Sequence, residues 1–250
     1  MAFIQCNFTS DTLAIGATMN VLLPDPKPGQ PADRKYPTLY LLHGLSDDHT
    51  AWMRWTSIER YARTKEIAIV MPAVNRSFYT DMVGGYPYWT FVSEELPAKA
   101  RAYFPLSDKR EDTFAAGLSM GGYGAFKLAL RRPDLFAAAA SLSGALDLRN
   151  GHERWPRDYG YIFGQGAPVP ADDDLFRLAE KVAASGGPKP KLYQACGTED
   201  FLYEANRAFL GHAQSLGLEL EYEEGPGGHD WAYWDAYIRR VLDWLPIRSS

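Results

Sequence analysis

Apolar residues occur along this chain in two patterns: short continuous runs, and longer stretches in which they recur every three or four positions. A continuous β-prone run is typical of a strand buried on both faces of a sheet, and the second pattern is typical of an amphipathic helix. The continuous runs predict strands at residues 38–42, 67–71, 113–116, 135–142 and 191–196. The alternating pattern at 218–223 predicts a half-exposed edge strand.

Helical stretches lie between these strands. They cover residues 55–64, 88–103, about 121–131 and 231–245. Before the first strand, residues 3–8 and 13–23 predict an antiparallel hairpin. Because strands that alternate with helices are typical of parallel β-α-β units, we predict an α/β fold with a doubly wound, mostly parallel sheet and helices on both faces.

One stretch does not fit this alternation. No internal repeat or low-complexity tract divides the chain, so residues 1–250 are predicted to form a single domain. The residues from about 146 to 171, however, are rich in Gly, Pro, Trp and Tyr and read as a long excursion from the sheet. Because long loops in compact domains are usually functional, we predict a lid-like insertion at about residues 146–175.

Composition narrows the class of protein. With 46% hydrophobic and 23% charged residues the chain is typical of a globular protein rather than a disordered one. Its net charge of −5 argues against nucleic acid as a partner. Apolar runs are too short to span a membrane, and no basic region precedes an apolar one near the N-terminus. We therefore expect a cytoplasmic protein with two reduced cysteines, although the sequence does not exclude one disulfide.

The motif Gly117-Leu118-Ser119-Met120-Gly121 matches G-x-S-x-G, the nucleophile elbow. A serine on a tight strand-to-helix turn projects its hydroxyl away from the backbone, and side chains larger than a hydrogen would collide at the flanking positions. The alternative is a glycine-rich turn with an incidental serine. An apolar strand before the motif and a helix after it favour Ser119 as a nucleophile.

A serine nucleophile needs a base, and the base needs an orienting acid. Such groups are expected at the carboxyl ends of strands. Only His229, among five histidines, follows the last strand in a glycine-rich loop. Asp200 follows the strand before it, with Glu199 as the fallback and Glu204 as a third competitor. The chain order Ser119, Asp200, His229 is the order that an α/β-hydrolase requires.

Acyl transfer also needs N–H donors for the developing oxyanion. The N–H of Met120, directly after the serine, is one candidate. The second is the N–H of Leu45, in the loop where Gly44 permits a turn after the strand at 38–42. This loop departs from the H-G-G-G form of many lipases, and His43-Gly44 could simply terminate the strand.

Aromatic residues crowd two loops near the predicted site, at 78–89 and 155–163. Apolar walls with a few polar tips suit a small acyl ester as substrate, although these rings could equally belong to the core. The candidate substrate-binding residues are Tyr86, Trp89, Trp155 and Trp231. No metal-binding or phosphate-binding motif is present, and serine-histidine-aspartate chemistry needs no cofactor, so none is proposed.

These residues also resemble a known family. Four motifs match the esterase D-like branch of the α/β-hydrolases: residues 41–46, 117–124, 141–145 and 228–231, which read LLHGLS, GLSMGGYG, SLSGA and GHDW. Within this branch the chain is most similar to bacterial tributyrin-type esterases, and the match runs through nearly its whole length. The resemblance implies an α/β-hydrolase fold, the triad of Ser119, Asp200 and His229, and oxyanion donors at Leu45 and Met120.

The resemblance further implies a small intracellular serine carboxylesterase that hydrolyses short-chain acyl esters through an acyl-enzyme. Relatives include S-formylglutathione hydrolases, feruloyl and acetylxylan esterases, and mycolyltransferases, so a thioesterase or a feruloyl or acetyl esterase is the alternative. Feruloyl and acetylxylan esterases and mycolyltransferases are usually exported, and the missing signal sequence argues against these groups. A non-catalytic binding protein is disfavoured because no triad member is lost. Relatives form dimers or tetramers, and the sequence identifies no interface for such a homo-oligomer.

Overall fold

Eight strands form one sheet in the computed structural model, which describes residues 1–31 and 33–247. Their order across the sheet is β1-β2-β4-β3-β5-β6-β7-β8. Strand β2 runs antiparallel to β1 and β4, and every other neighbouring pair is parallel. The strands are β1 (Ala2–Ser10), β2 (Ile15–Leu23), β3 (Thr38–Leu42), β4 (Ala68–Pro72), β5 (Thr113–Leu118), β6 (Ala138–Leu142), β7 (Lys191–Gly197) and β8 (Leu220–Gly225).

Helices cover both faces of this sheet, because its central strands are apolar at consecutive positions. In β3, Leu39 and Leu41 face one apolar cluster, and Tyr40 and Leu42 face the other. The predicted mostly parallel α/β fold is therefore confirmed. The helices are α1 (Ala51–Trp55), α2 (Ile58–Ala62), α3 (Tyr88–Thr90), which continues through a π-helical turn (Phe91–Glu95) into α4 (Leu96–Tyr103), α5 (Met120–Arg131), α6 (Gly151–Arg154), α7 (Pro156–Phe163), α8 (Leu175–Ala184), α9 (Tyr203–Ser215) and α10 (Trp231–Trp244).

The prediction of one helix over residues 55–64 is wrong, because Thr56 interrupts it. Thr56 is extended, with φ −134° and ψ 171°. Its hydroxyl donates to the Trp52 carbonyl oxygen at 2.6 Å and accepts the N–H of Ile58 at 3.2 Å. The next amide, of Ser57, donates to Asp235 of α10 at 2.9 Å. These polar contacts replace the helical hydrogen bonds at this point, so α1 and α2 are separate.

The residues between β6 and α8, here called the insertion segment (residues 143–174), hold the two short helices α6 and α7. Two backbone hydrogen bonds join the segment to the loop before α3, where the N–H groups of Val83 and Gly84 donate to the carbonyls of Ile162 and Tyr161 at 3.0 and 2.9 Å. Trp155, between α6 and α7, packs against Phe78 with ring centroids 5.3 Å apart. The insertion segment therefore contributes a wall above the carboxyl ends of the strands.

Candidate active site

Ser119 lies on the turn between β5 and α5 with φ 52° and ψ −117°, a conformation that L-residues rarely adopt. The turn is held by its own backbone, since the N–H of Ser119 donates to the Leu142 carbonyl at 2.9 Å and its carbonyl accepts from Ala145 at 3.0 Å. A Cβ on Gly121 would overlap the carbonyl oxygens of Leu42 and His43. The glycines of the motif thus let α5 pack directly on the end of β3 while the serine side chain projects outward.

Three side chains from three loops meet at this turn. The Nε2 atom of His229 lies 3.0 Å from Ser119 Oγ, and its Nδ1 atom lies 2.8 Å from Asp200 Oδ2. The imidazole is part-buried, and the side chain of Asp200 is fully buried. With Nδ1–H donated to Asp200, Nε2 is free to accept the proton of the serine hydroxyl. The structure therefore brings together the three residues named from the sequence.

Asp200, not Glu199, is the acid that contacts the imidazole. Burial alone would raise the pKa of Asp200, but hydrogen bonds from His229 and from the Leu202 N–H at 2.8 Å outweigh it, and the pKa is lowered. Glu199 instead accepts the N–H of Gly227 at 3.0 Å and so holds the loop that carries His229. Glu204 lies in the first turn of α9.

The loop after β3 approaches the serine closely. A Cβ on Gly44 would lie 2.7 Å from Leu118 Cδ1 and 3.8 Å from Ser119 Cβ, so the Leu118 side chain would have to shift to admit a larger residue. Leu45 follows and lines the cleft in front of Ser119. Met120 is the first residue of α5, where the N–H groups and the helix dipole favour negative charge. Both predicted donors thus lie on chain segments that border Ser119.

His43 fixes the start of this loop from inside the protein. Its Nδ1–H donates to the Gly44 carbonyl at 2.7 Å, and its Nε2 accepts the N–H of Val74 at 3.0 Å. Burial is the largest cause that lowers its pKa to about 4. The bond that Nε2 accepts requires the neutral imidazole, so His43 is a structural residue of the loop.

A cleft of about 430 Å³ opens over Ser119. Two of the candidate substrate-binding residues, Trp155 and Trp231, line it. The imidazole of His229 is enclosed by rings, with Phe201 at 4.4 Å and Trp234 at 4.9 Å between centroids. The other lining residues are Gly44, Leu45, Ser46, Asp47, Arg76, Phe78, Leu118 and Asp230.

The two remaining predicted substrate-binding residues lie elsewhere. Tyr86 lines a second cavity of about 750 Å³ beside the cleft. Trp89 is buried in the core with the Arg131 guanidinium 4.2 Å from its ring centroid, and it lines neither cavity. Trp89 lies inside the helix predicted over residues 88–103 as well as in the aromatic loop, and its burial shows that its helical position decides its role.

Sequence reasoning missed Arg76, which lines both cavities. Its position soon after the end of β4 was the available signal, because polar residues at the carboxyl ends of parallel strands face the ligand site. Phe201 and Trp234, which also line the cleft, are not among the site residues named from the sequence. Their contacts with the imidazole depend on how α10 and the Asp200 loop pack.

The arrangement supports nucleophilic acyl chemistry. A hydroxyl, a neutral imidazole and a buried carboxylate in hydrogen-bond contact form a proton relay at the end of a helix that favours an oxyanion. Among residues 1–31 and 33–247, no cluster of three or more His, Cys, Asp or Glu side chains could hold a metal ion. In the same part of the chain, no helix has the length and apolarity needed to cross a bilayer.

Comparisons with known proteins identify the family. The Esterase family model matches residues 10–245. The chain is 34% identical to an acetyl esterase of Caldicellulosiruptor saccharolyticus, with 98% of each covered. Two Staphylococcus aureus structures are each 38% identical to it. One is the fluorophosphonate-binding serine hydrolase F with substrate bound, with a TM-score of 0.92 and 99% of each chain covered. The other is an S-formylglutathione hydrolase, with a TM-score of 0.89 and 98% of each covered.

The family model matches most of the chain, and the chain is more than 30% identical to the acetyl esterase over nearly the full length of both proteins. The relationship to esterase D-like α/β-hydrolases that the motifs indicate is therefore confirmed. The chain belongs to the Esterase family and is a serine hydrolase that acts on ester bonds.

Proposed function

We propose that the protein is a carboxylesterase for short-chain acyl esters that works through an acyl-enzyme on Ser119. The observation that carries this proposal is the contact of 3.0 Å between His229 Nε2 and Ser119 Oγ, with Asp200 on the other ring nitrogen. These distances lie within the range expected for a nucleophile and its general base.

The reaction follows from the positions of these groups. His229 Nε2 accepts the hydroxyl proton while Ser119 Oγ attacks the ester carbonyl carbon. The N–H groups of Leu45 and Met120 donate to the oxyanion of the tetrahedral intermediate. When the bond to the alcohol oxygen breaks, His229 returns its proton to that oxygen. Water then attacks the carbonyl carbon of the acyl-enzyme while His229 accepts its proton. His229 returns this proton to Ser119 Oγ, and the carboxylic acid is released.

The preference for short acyl groups is supported by the floor of the cleft. Phe78 and Trp155 close it, and the space behind them, lined also by Leu148 and Ile162, measures only about 10 Å³. That volume does not accommodate additional methylene groups. Acetyl to butyryl esters fit this cleft better than long-chain esters do.

The central test is the variant Ser119→Ala. We expect its turnover of p-nitrophenyl butyrate to fall by at least about 10⁴-fold, because the nucleophile is lost. The thermal midpoint should stay within about 2 °C of the wild-type value, since no buried contact is removed. A fluorophosphonate probe should label the wild type at Ser119, located by peptide mass spectrometry, and leave the variant unlabelled. Substantial turnover by the variant would refute the proposal.

A second candidate function is an S-formylglutathione hydrolase-like thioesterase. It is favoured by the 38% identical Staphylococcus aureus structure, and the same relay can act on a thioester carbonyl. Feruloyl and acetyl esters are further candidate substrates, the latter favoured by the acetyl esterase relative. Values of kcat/KM for S-formylglutathione, methyl ferulate, p-nitrophenyl acetate and p-nitrophenyl butyrate distinguish them. A higher value for S-formylglutathione than for both p-nitrophenyl esters would replace the carboxylesterase assignment.

A further inference from the structure

The cleft over Ser119 and the second cavity are neighbours that share one rim. Four residues line both: Leu45, Ser46, Asp47 and Arg76. Arg76 is joined to Asp158 of α7 by two hydrogen bonds, Nε to Oδ1 at 2.7 Å and Nη2 to Oδ2 at 2.8 Å. Asp158 lines only the second cavity. The ion pair therefore lies where the two spaces meet.

The two partners differ in exposure, since the Arg76 side chain is 54% exposed and is held by its hydrogen bonds to Asp158. The Asp158 side chain is 13% exposed and lies in the first turn of α7, where the helix dipole favours a carboxylate. The remaining guanidinium nitrogen of Arg76, Nη1, is 3.4 Å from the Leu45 carbonyl oxygen. A planar guanidinium held at two oxygens of one carboxylate is also geometrically specific. Arg76 thus bridges from the loop after β3 to the insertion segment.

The position of His229 decides which part of the substrate faces this ion pair. The leaving oxygen must be within reach of His229 Nε2, so the alcohol lies toward His229, Trp231 and Trp234. None of these three residues lines the second cavity. An acyl chain directed away from these residues meets Phe78, Leu45 and Arg76, which also line the cleft.

The second cavity has room and apolar surface for a longer chain. Its lining includes Met82, Tyr86, Tyr88 and Tyr161, and its volume of about 750 Å³ exceeds that of the cleft. An acyl tail that entered it would have to displace the ion pair or lie against it and remove its water. Displacement of the ion pair is unfavourable because each charge loses its partner. Removal of its water is unfavourable because the charges are desolvated.

We propose that the Arg76–Asp158 ion pair is a specificity gate that ends the acyl-binding cleft and excludes long acyl chains from the second cavity. This inference rests on the proposed short-chain esterase function and adds a second limit on chain length, at two residues, to the one that Phe78 and Trp155 set at the floor. Removal of the gate joins the two spaces and lets the chain beyond about four carbons bind apolar surface.

The experiment compares p-nitrophenyl butyrate with p-nitrophenyl octanoate. The measured quantity is the ratio of kcat/KM for octanoate to that for butyrate. Arg76→Ala and Asp158→Ala should each raise this ratio by about tenfold, which is the gain expected from burial of roughly two of the four additional methylene groups. The double variant should match the single variants rather than their product, because both substitutions remove the same barrier.

Arg149→Ala is the matched control. Arg149 forms a similar two-bond pair with Asp147 in the insertion segment, but neither residue lines either cavity. Its octanoate-to-butyrate ratio should remain at the wild-type value. Circular dichroism and the thermal midpoint of every variant establish that the compared proteins are folded. Arg76→Lys, which keeps the charge and loses the planar fork, should give an intermediate ratio.

Ratios for Arg76→Ala and Asp158→Ala within twofold of wild type would overturn the gate while leaving the short-chain function intact. The gate would be overturned in the same way if Trp155→Ala, which opens the floor, raised the ratio and Arg76→Ala did not. A wild-type enzyme that already prefers octanoate would refute the short-chain function, and the gate with it. The two failures are therefore distinguishable in one data set.

Discussion

At the scale of single residues, Lys127 shows how a buried charge supports the cleft. Its side chain is fully buried, and its ammonium lies 2.6 Å from Asp173 Oδ1. It also donates to the Tyr79 carbonyl at 2.9 Å and to Thr80 Oγ1 at 2.8 Å. Burial is the largest cause that lowers its pKa to about 8. These bonds fix a turn in which Phe78, a wall of the cleft, adopts φ 47°.

Lys127→Met should therefore lower the free energy of unfolding by about 3 kcal/mol, because it removes the buried partner of Asp173, which keeps a longer contact of 3.4 Å with Arg131, and leaves the Tyr79 carbonyl without its donor. Urea denaturation measures the change. The control is Lys181→Met, which removes an exposed contact with Asp172 of 3.6 Å and should cost less than about 0.5 kcal/mol. Equal losses in the two variants would contradict a special role for the buried pair.

At the scale of elements, the packing of α5 on β3 depends on the absence of a side chain at Gly121. We expect Gly121→Ala to lower the free energy of unfolding by about 3 kcal/mol or more, because its Cβ would overlap two backbone carbonyls that cannot move independently. Esterase turnover should fall with it, since α5 begins directly after Ser119. Thermal and urea unfolding, together with turnover, measure both effects.

The matched control lies in another helix. Gly211 is an exposed residue of α9, and a Cβ there would meet no atom within 4 Å. Gly211→Ala should raise the free energy of unfolding by about 0.5 to 1 kcal/mol, because alanine has the higher helix propensity. A stable, active Gly121→Ala enzyme would show that the close approach of α5 to β3 is not required.

At the scale of the whole molecule, His43 couples folding stability to pH. Its pKa is about 4 in the folded protein against an ordinary value of 6.5. As pH falls from 6.5 to 4, the unfolded chain gains a proton at His43 that the folded protein does not. The stability that neutral His43 contributes is fully present above about pH 6.5. Its loss between pH 6.5 and pH 4 lowers the free energy of unfolding by roughly 3 kcal/mol.

Urea unfolding from pH 7 to pH 4 measures this dependence, and His43→Gln should reduce the slope. The His43 ring signals in NMR spectra supply an independent measurement, since they should begin to titrate only near pH 4. Wild-type stability that stays constant between pH 6.5 and 4.5, or ring signals that titrate near pH 6.5, would contradict the neutral, buried imidazole.

The sequence by itself determined the order of the strands, the elbow at Ser119 and the two loops that carry Asp200 and His229. Local patterns suffice for these features, because apolar periodicity and glycine positions act between near neighbours in the chain. The order Ser119, Asp200, His229 could be read because strands of a parallel sheet all end at one edge, so loops distant in sequence become neighbours there.

Only the tertiary structure decided between Asp200 and Glu199, which are adjacent in the chain and chemically alike. The choice depends on the direction of each side chain: Asp200 faces the imidazole, and Glu199 binds Gly227. Likewise, Trp89 and Trp155 look equivalent in the sequence, yet packing places one in the core and one in the cleft. The Arg76–Asp158 pair joins residues 82 positions apart, and no local pattern encodes a contact that depends on how the insertion segment packs over the sheet.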